Sequence, residues 1–261
     1  RKSWPGFDYL MQAEAGYFSL TGEIETPPSR MGLSLVDIMT GQTMALACVS
    51  AIVSARTTGK GQNIDTNLFD LALSNLGYLA TWYLNEGYIQ GREPRSGHPS
   101  LVPCAQYPTK DGWIYIMCNK EKFWPLLCEK IGRPEWGNDG RYATFKDRES
   151  RKKEIQDLLD KELSSKTTKE WLDIFSGIVP AAPILDVGQA IDNPFVTERG
   201  RHMELELNDG TSFCLLDAPF HTGEPTPKHP APELGAHTEI ILKDLGYDRK
   251  RIEALRGQKI I

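Results

Sequence analysis

The sequence has no closely spaced pair of cysteines. Cys48, Cys104, Cys118, Cys128 and Cys214 are odd in number and widely spread, and no Cys-x-x-Cys occurs. This excludes a disulfide framework, favours a reducing compartment, and leaves each thiol expected as a small buried hydrophobe. The histidines, His98, His202, His221, His229 and His237, have no partner at zinc-site spacing, so no metal is expected. There is no excess of positive charge: 30 Lys and Arg against 35 Asp and Glu give a net charge of −5, without the basic stripe of a nucleic-acid binder. No apolar run reaches the roughly 20 residues of a membrane span. The longest, Met44 to Ala55, is interrupted by Ser50 and Ser54 and reads as a buried helix. The opening Arg1-Lys2-Ser3-Trp4-Pro5-Gly6 carries neither an initiator Met nor a targeting pattern, and is read as a break within a longer protein. Walker, Gly-x-Gly-x-x-Gly, Gly-x-Ser-x-Gly and His-Glu-x-x-His motifs are all missing.

What is present is ordinary for a soluble protein: 261 residues, 40% hydrophobic and 25% charged. Residues 8–21 read as a helix ending at Thr21-Gly22, and residues 37–56 as the strongest helix, stopped by Thr58-Gly59-Lys60-Gly61. Small residues along the second (Gly41, Ala45, Ala47, Ser50, Ala51, Ser54) predict close approach of a neighbouring backbone. Gln62 to Leu68 alternates like a strand, and residues 69–87 return to helix period. Residues 88–103 are polar and rich in Gly, Pro and Arg, like a linker or an active-site loop.

A new block follows. Gln106–Thr109 and Trp113–Cys118 flank Lys110-Asp111-Gly112, a hairpin signal. Helices are expected over 120–131, 148–165 (a solvated, charge-mixed face) and 168–178, and a short strand over 182–187. Next come a second hairpin around Asn208-Asp209-Gly210, an extended surface segment from Pro219 to Pro232, and a helix from Leu234 to Leu245. The pattern divides into three parts, 1–95, 96–187 and 188–261. The middle part reads as a small α/β domain inserted into a larger one.

Two places carry candidate chemistry. Asp37 sits between Val36 and Ile38 at the start of the long helix. A carboxylate in an apolar run is costly unless satisfied, and free amides and the dipole at a helix start favour its ionised form. Such a group is either an ordinary capping aspartate or a nucleophile able to attack a thioester. Arg92, Arg95 and His98 in the polar loop either meet an anionic substrate or are merely solvated.

At these residues the chain resembles a known family. Gly6-Phe7-Asp8, Gln12-Ala13, Gly16, Thr21-Gly22, Pro27-Pro28, Arg30-Met31-Gly32, Asp37 and Gly41 are similar to the class III CoA-transferases, among them formyl-CoA transferase and carnitine CoA-transferase. So are Thr58-Gly59-Lys60-Gly61-Gln62, His98-Pro99-Ser100-Leu101-Val102-Pro103, Thr109-Lys110-Asp111-Gly112 and Leu234-Gly235-Ala236-His237-Thr238. The resemblance covers essentially the whole chain in order. It implies the class III CoA-transferase fold: a large α/β domain, whose nucleotide-binding-like N-terminal half is absent here, with an inserted smaller α/β domain. It implies a cytoplasmic enzyme (mitochondrial matrix if eukaryotic) that moves CoA from an acyl-CoA to a carboxylic acid. Asp37 would be the catalytic nucleophile, and Arg95, Gly97 and His98 would contact substrate. Coenzyme A would be needed, as acyl-CoA, and no metal. An interlaced homodimer is implied, with no nucleic-acid or membrane partner.

The polar loop departs from the glycine-rich version of many members, which points toward the subgroup using dicarboxylic acids. Two other readings remain. A 2-methylacyl-CoA racemase would resemble Gly-His-Asp where this chain has Gly6-Phe7-Asp8, and so would want a second acid/base that is missing. A truncated, non-catalytic relative is disfavoured by the retention of Asp37 with its flanks.

Overall fold

Residues 102–184 hold most of the apolar side chains that this chain buries. The structure, a computed structural model, describes residues 4–207, 209–220, 223 and 229–261. Contacts group the chain into two compact units, Arg1–Ile184 and Leu185–Ile261. The whole is a mixed α/β structure with small sheets.

The first unit opens with α1 (Asp8–Glu14) and a 3-10 turn at Tyr17–Ser19. The single helix expected over 8–21 is interrupted because Gly16 adopts φ +90°, a left-handed conformation that ends the helical run. Helix α2 runs Leu35–Thr58 and stops on Gly59 as expected. It is not the buried helix read from the sequence. An 18-residue window of mean hydropathy 1.5 is only 6% buried, and by length and composition alone this helix could cross a membrane. Leu46, Val49 and Val53, spaced as one helical face, are all exposed. A Cβ built on Gly41 would meet nothing within 4 Å, so no backbone approaches closely there, and of the small residues along this helix Ala51 is the buried one.

The strand expected over Gln62–Leu68 is irregular chain, since among the described residues no strand pairs with it. Asn67 instead caps α3 (Leu68–Ser74), accepting the Asp70 amide at 2.8 Å. The helical stretch 69–87 is broken at Gly77, whose φ of 56° and ψ of −120° no other residue type adopts readily, before α4 (Tyr78–Glu86). Ala15, Val36 and Ala72 form a small core where α1, α2 and α3 meet.

The hairpin read from Lys110-Asp111-Gly112 is present. Strands β1 (Cys104–Pro108) and β2 (Trp113–Met117) pair antiparallel, and β3 (Ala181–Pro183) adds to β2. Ala105, Tyr107, Ile114 and Ile116 point to one buried face, the period-2 alternation of a half-buried sheet. Into the same core pack α5 (Phe123–Lys130), α6 (Pro134–Gly137), α8 (Lys152–Leu163) and α9 (Thr168–Phe175), with α7 (Phe145–Glu149) beside α8. Two corrections apply to the charged stretch 148–165. Ile155, Leu159 and Leu163 form a fully buried stripe on α8, and Arg148 at the end of α7 is itself buried. Its guanidinium bonds the carbonyls of Val102 (2.6 Å) and Tyr142 (2.8 Å) and pairs with Glu121, which satisfies a charge that burial would otherwise penalise.

The second unit holds α10 (Val187–Ile191), α11 (Pro194–Thr197), the hairpin β4 (His202–Glu206) with β5 (Ser212–Leu216), α12 (Thr238–Asp244) and α13 (Arg249–Gly257). The second hairpin is thus present. Asn208 of its turn lies outside the described residues, as do His221 and much of the Pro219–Pro232 segment. The helix expected over 234–245 is confined to Thr238–Asp244, and α13 was not anticipated. All five thiols are free. Cys104, Cys118 and Cys128 are buried as expected, whereas Cys48 on α2 and Cys214 on β5 are exposed.

Candidate active site

Asp37 lies in the first turn of α2. Val36, its neighbour, is buried under α1 and α3, which fixes the helix start; Asp37 itself is exposed. The apolar flanks seen in the sequence therefore do not enclose it within this chain. What holds its backbone is a carboxylate from elsewhere. Asp8, 5% exposed, accepts the Asp37 amide at 3.0 Å with one oxygen and the Gln12 side-chain amide at 2.6 Å with the other. Gln12 also donates to the Leu33 carbonyl (3.0 Å) and accepts the Met31 amide (3.0 Å), tying the segment before α2 to α1. The capping role weighed for Asp37 thus falls to Asp8, a long-range cap of the α2 N-terminus. The Asp37 side chain has no hydrogen-bond partner among the described residues.

Asp8 and Gln12 belong to the motifs that carry the resemblance, but their local sequence assigns them no role. Only the folded approach of α1 to α2 reveals it.

The other three candidates lie together in the loop before β1. Arg95 and Ser96 both adopt the left-handed region, with φ of 59° and 50°. For residues other than glycine such backbone costs about 1–3 kcal/mol each and persists only when neighbours over-determine it. Here the Glu23 carboxylate accepts the Arg95 amide (2.9 Å), and Tyr115 donates its hydroxyl to the Ser96 carbonyl (3.0 Å). The Arg95 guanidinium grips Asp160 through two bonds of 2.6 Å, so its bidentate face is already engaged. At Gly97 any Cβ would lie 2.9 Å from the Pro94 carbonyl oxygen, so the close turn leaves no room for a side chain. His98 donates its amide to the Cys104 carbonyl (2.9 Å), and Lys152 bridges the His98 carbonyl (3.1 Å) and Glu93 (2.6 Å). Arg92, weighed with them, spends its guanidinium on the carbonyls of Glu23 (2.8 Å) and Thr26 (2.5 Å).

Gly97 and His98 line a cavity of about 810 Å³, together with Tyr78, Trp82, Glu93, Ser96, Ser100 and Tyr115 among others. Arg95 is not among its lining residues, and neither is Asp37. The structure therefore brings Gly97 and His98 into one cavity and places Asp37 at a separate point of the same unit. Burial, and then the Lys152 charge, lower the His98 pKa against an opposing pull from Glu93.

Residues 1–238 match the family described as CoA-transferase family III. The chain belongs to that family. It is 31% identical over 252 residues to a succinate–glutarate CoA-transferase of Agrobacterium fabrum, covering 92% of this chain and 60% of that protein. It is 28% identical over 261 residues to a human succinyl-CoA:glutarate CoA-transferase, covering 98% of this chain and 59% of that protein. Among solved structures, a CaiB/BaiF family protein from Brucella suis superposes with a TM-score of 0.76 at 28% identity, over 92% of this chain and 63% of the other. The chain thus spans about three fifths of the length of these relatives. The class III CoA-transferase fold expected from the motifs is present.

Proposed function

We propose that the protein to which this chain belongs transfers CoA from an acyl-CoA to a carboxylic acid, with Asp37 as nucleophile. The observation that carries this reading is the setting of Asp37: an exposed carboxylate in the first turn of a long helix, its amide held by the buried Asp8. The exposed anion attacks the thioester carbonyl of the donor, giving an aspartyl mixed anhydride and CoA thiolate. The thiolate attacks the aspartyl carbonyl and releases the donor acid, leaving an aspartyl-CoA thioester. The acceptor carboxylate attacks that thioester, forms a new anhydride and expels the thiolate. Attack of the thiolate on the acceptor's carbonyl yields the new acyl-CoA and regenerates the Asp37 carboxylate. Each step exchanges one activated carbonyl for another, so the thioester energy is conserved. The relatives named for succinate and glutarate make those acids the first to test. Phe7 leaves the racemase reading without a side-chain acid or base at that position.

In this reading Gly97 and His98 line the site that takes the acid, and Arg95 serves it indirectly by fixing the loop through Asp160. CoA is held largely by parts of a longer protein, which together with a second copy in an interlaced dimer cover the exposed apolar face of α2. The three-part division at 95/96 and 187/188 belongs to the same proposal. The five free thiols suit a reducing compartment such as the cytoplasm or mitochondrial matrix.

The test uses the full-length protein. Asp37→Asn keeps the shape but forms no anhydride, and transfer from succinyl-CoA to glutarate should fall about 10³-fold or more. Hydroxylamine trapping during turnover, read by mass spectrometry, should label Asp37. A label elsewhere, or near-normal turnover by a folded D37N protein, overturns the reading.

A further inference from the structure

His98 is held so that its two ring nitrogens have different jobs. Nδ1 faces two main-chain donors, the Ser100 amide at 3.2 Å and the Leu101 amide at 3.1 Å, with the Ser100 hydroxyl at 3.5 Å. A ring nitrogen that accepts two N–H groups carries no proton, so the proton of the neutral imidazole resides on Nε2. Charging the ring would put a second proton on Nδ1, against both amides. Nε2 has no partner among the described residues, and the ring lines the cavity.

Of the influences on the ring, burial and the Lys152 charge favour the neutral imidazole and Glu93 opposes them. Lys152 of α8 reaches the His98 carbonyl and pairs with Glu93 of the loop. Arg95 is paired with Asp160 of α8, and its amide with Glu23. Across the cavity, Cys104 of β1 and Tyr115 of β2 contact one another at 3.6 Å, and burial pushes the Tyr115 hydroxyl upward. No lysine or arginine lines the cavity among the described residues; its walls include Tyr78, Trp82 and Met117, and the one carboxylate among them, Glu93, is paired with Lys152.

We propose that His98 is the specificity-determining donor of the acid site: a neutral imidazole whose Nε2–H binds a carboxylate oxygen of the substrate acid. The acid is thus recognised by a hydrogen bond rather than an ion pair. The proposal rests on the transferase reading for its substrate. It implies that acid affinity changes little with pH above the range where imidazole ordinarily titrates.

The experiment uses full-length protein with ¹⁵N-labelled histidine. NMR should show Nε2 protonated and Nδ1 bare from pH 6.5 to 8.5, and glutarate should shift the Nε2–H signal. His98→Asn keeps an oxygen where Nδ1 accepts the two amides but removes the distal donor; His98→Gln restores a donor at the distal position. H98N should raise the KM for the acid about 10–100-fold, the worth of a hydrogen bond to a charged group, with less effect on kcat. H98Q should recover part of that loss, and the wild-type to H98N ratio should stay flat across the same pH range. A proton on Nδ1, an imidazolium at pH 7, or an unchanged KM in H98N overturns the proposal. If no acid supports turnover, the transferase reading has failed instead, and the glutarate titration still decides: a shifted Nε2–H sustains the donor role and an unshifted one ends it.

Discussion

Residues 102–184 and residues 4–91 belong to one compact unit, yet they are built in opposite ways. The sheet and helices of 102–184 enclose a core that runs from Val102 to Val179, with Tyr107, Trp124, Leu159 and Trp171 essentially inaccessible. The helices of 4–91 enclose a small cluster of Ala15, Val36 and Ala72, bury little else apolar than Ala51 and Leu71, and leave Leu46 69% and Val49 59% exposed on α2. The first region completes its own core. The second has an apolar face without a partner among the described residues, and it is the one that carries Asp37. Stability and candidate chemistry therefore sit in different parts of the chain, and the chemistry sits where the apolar surface is still open.

The sharpest way to break that contrast is to injure each region in turn. Arg148 on α7 donates to three carbonyls, of Val102, Tyr142 and Ala143, from a fully buried position. Arg148→Met fills similar space but leaves those acceptors unpaired, and should cost roughly 3–5 kcal/mol in urea denaturation of this chain. Leu46→Ser on α2 should change the same measurement by no more than about 0.5 kcal/mol, as for other open surface positions. In the full-length protein Leu46→Ser should become clearly destabilising. Equal effects of the two substitutions in this chain would abolish the distinction.

The same contrast explains what could be read from the sequence. The β1–β2 hairpin was legible because Lys110-Asp111-Gly112 and the alternation of Tyr107, Ile114 and Ile116 are local signals whose partners lie a few residues away. Asp37 was legible because its motif is contiguous. The Asp8 cap was not, because it joins positions 29 residues apart through the meeting of two helices. Arg148 was hidden within a run of charges, where only packing distinguishes one buried guanidinium from its solvated neighbours. Gln62–Leu68 alternates like a strand, but alternation forms no strand without an edge to pair with. The exposure of α2 was misread for a related reason: an apolar sequence states what a helix would bury, not whether the burying surface is in the same chain.

Asp8 offers a finer test, within the open region alone. Its carboxylate orients the first turn of α2 and does not touch the reacting carbonyl in the proposed mechanism, so it is a positioning residue. In the full-length enzyme Asp8→Ala should lower kcat about 10–100-fold, as expected when a charge-assisted hydrogen bond is lost. Asp8→Asn, which keeps an acceptor oxygen for the Asp37 amide, should recover most of that loss. The KM for acyl-CoA should move little in either variant. A loss confined to KM, or no rescue by asparagine, would make Asp8 a binding or purely structural residue.

The smallest effect belongs to the closed region and carries a pH signature. Thr167 caps α9 in a reciprocal box: its hydroxyl oxygen accepts the Glu170 amide at 3.2 Å, and the Glu170 carboxylate accepts the Thr167 amide and hydroxyl, each at 2.8 Å. Those bonds, the backbone one foremost, hold the Glu170 carboxyl below the usual carboxylate range. A carboxyl depressed on folding stabilises the fold fully above its unfolded pKa, and that contribution is lost as the pH falls through the folded value. Thr167→Ala should therefore cost about 1 kcal/mol at pH 7, the usual worth of a threonine cap. The cost should shrink as the pH falls through the depressed Glu170 value, where the wild-type box loses its charge-assisted bonds. Asp147, boxed with Thr144 at the start of α7, is depressed in the same way and should behave alike. At the start of α2 the cap is Asp8, supplied from a distant helix, so Asp8→Ala should perturb catalysis more than stability, whereas Thr167→Ala perturbs stability alone. Urea titrations of wild-type and T167A chains from pH 7 down through the acid range, set beside turnover of full-length T167A, separate the two. A cost that does not diminish in acid would mean that Thr167 stabilises α9 by packing rather than through its exchange with Glu170.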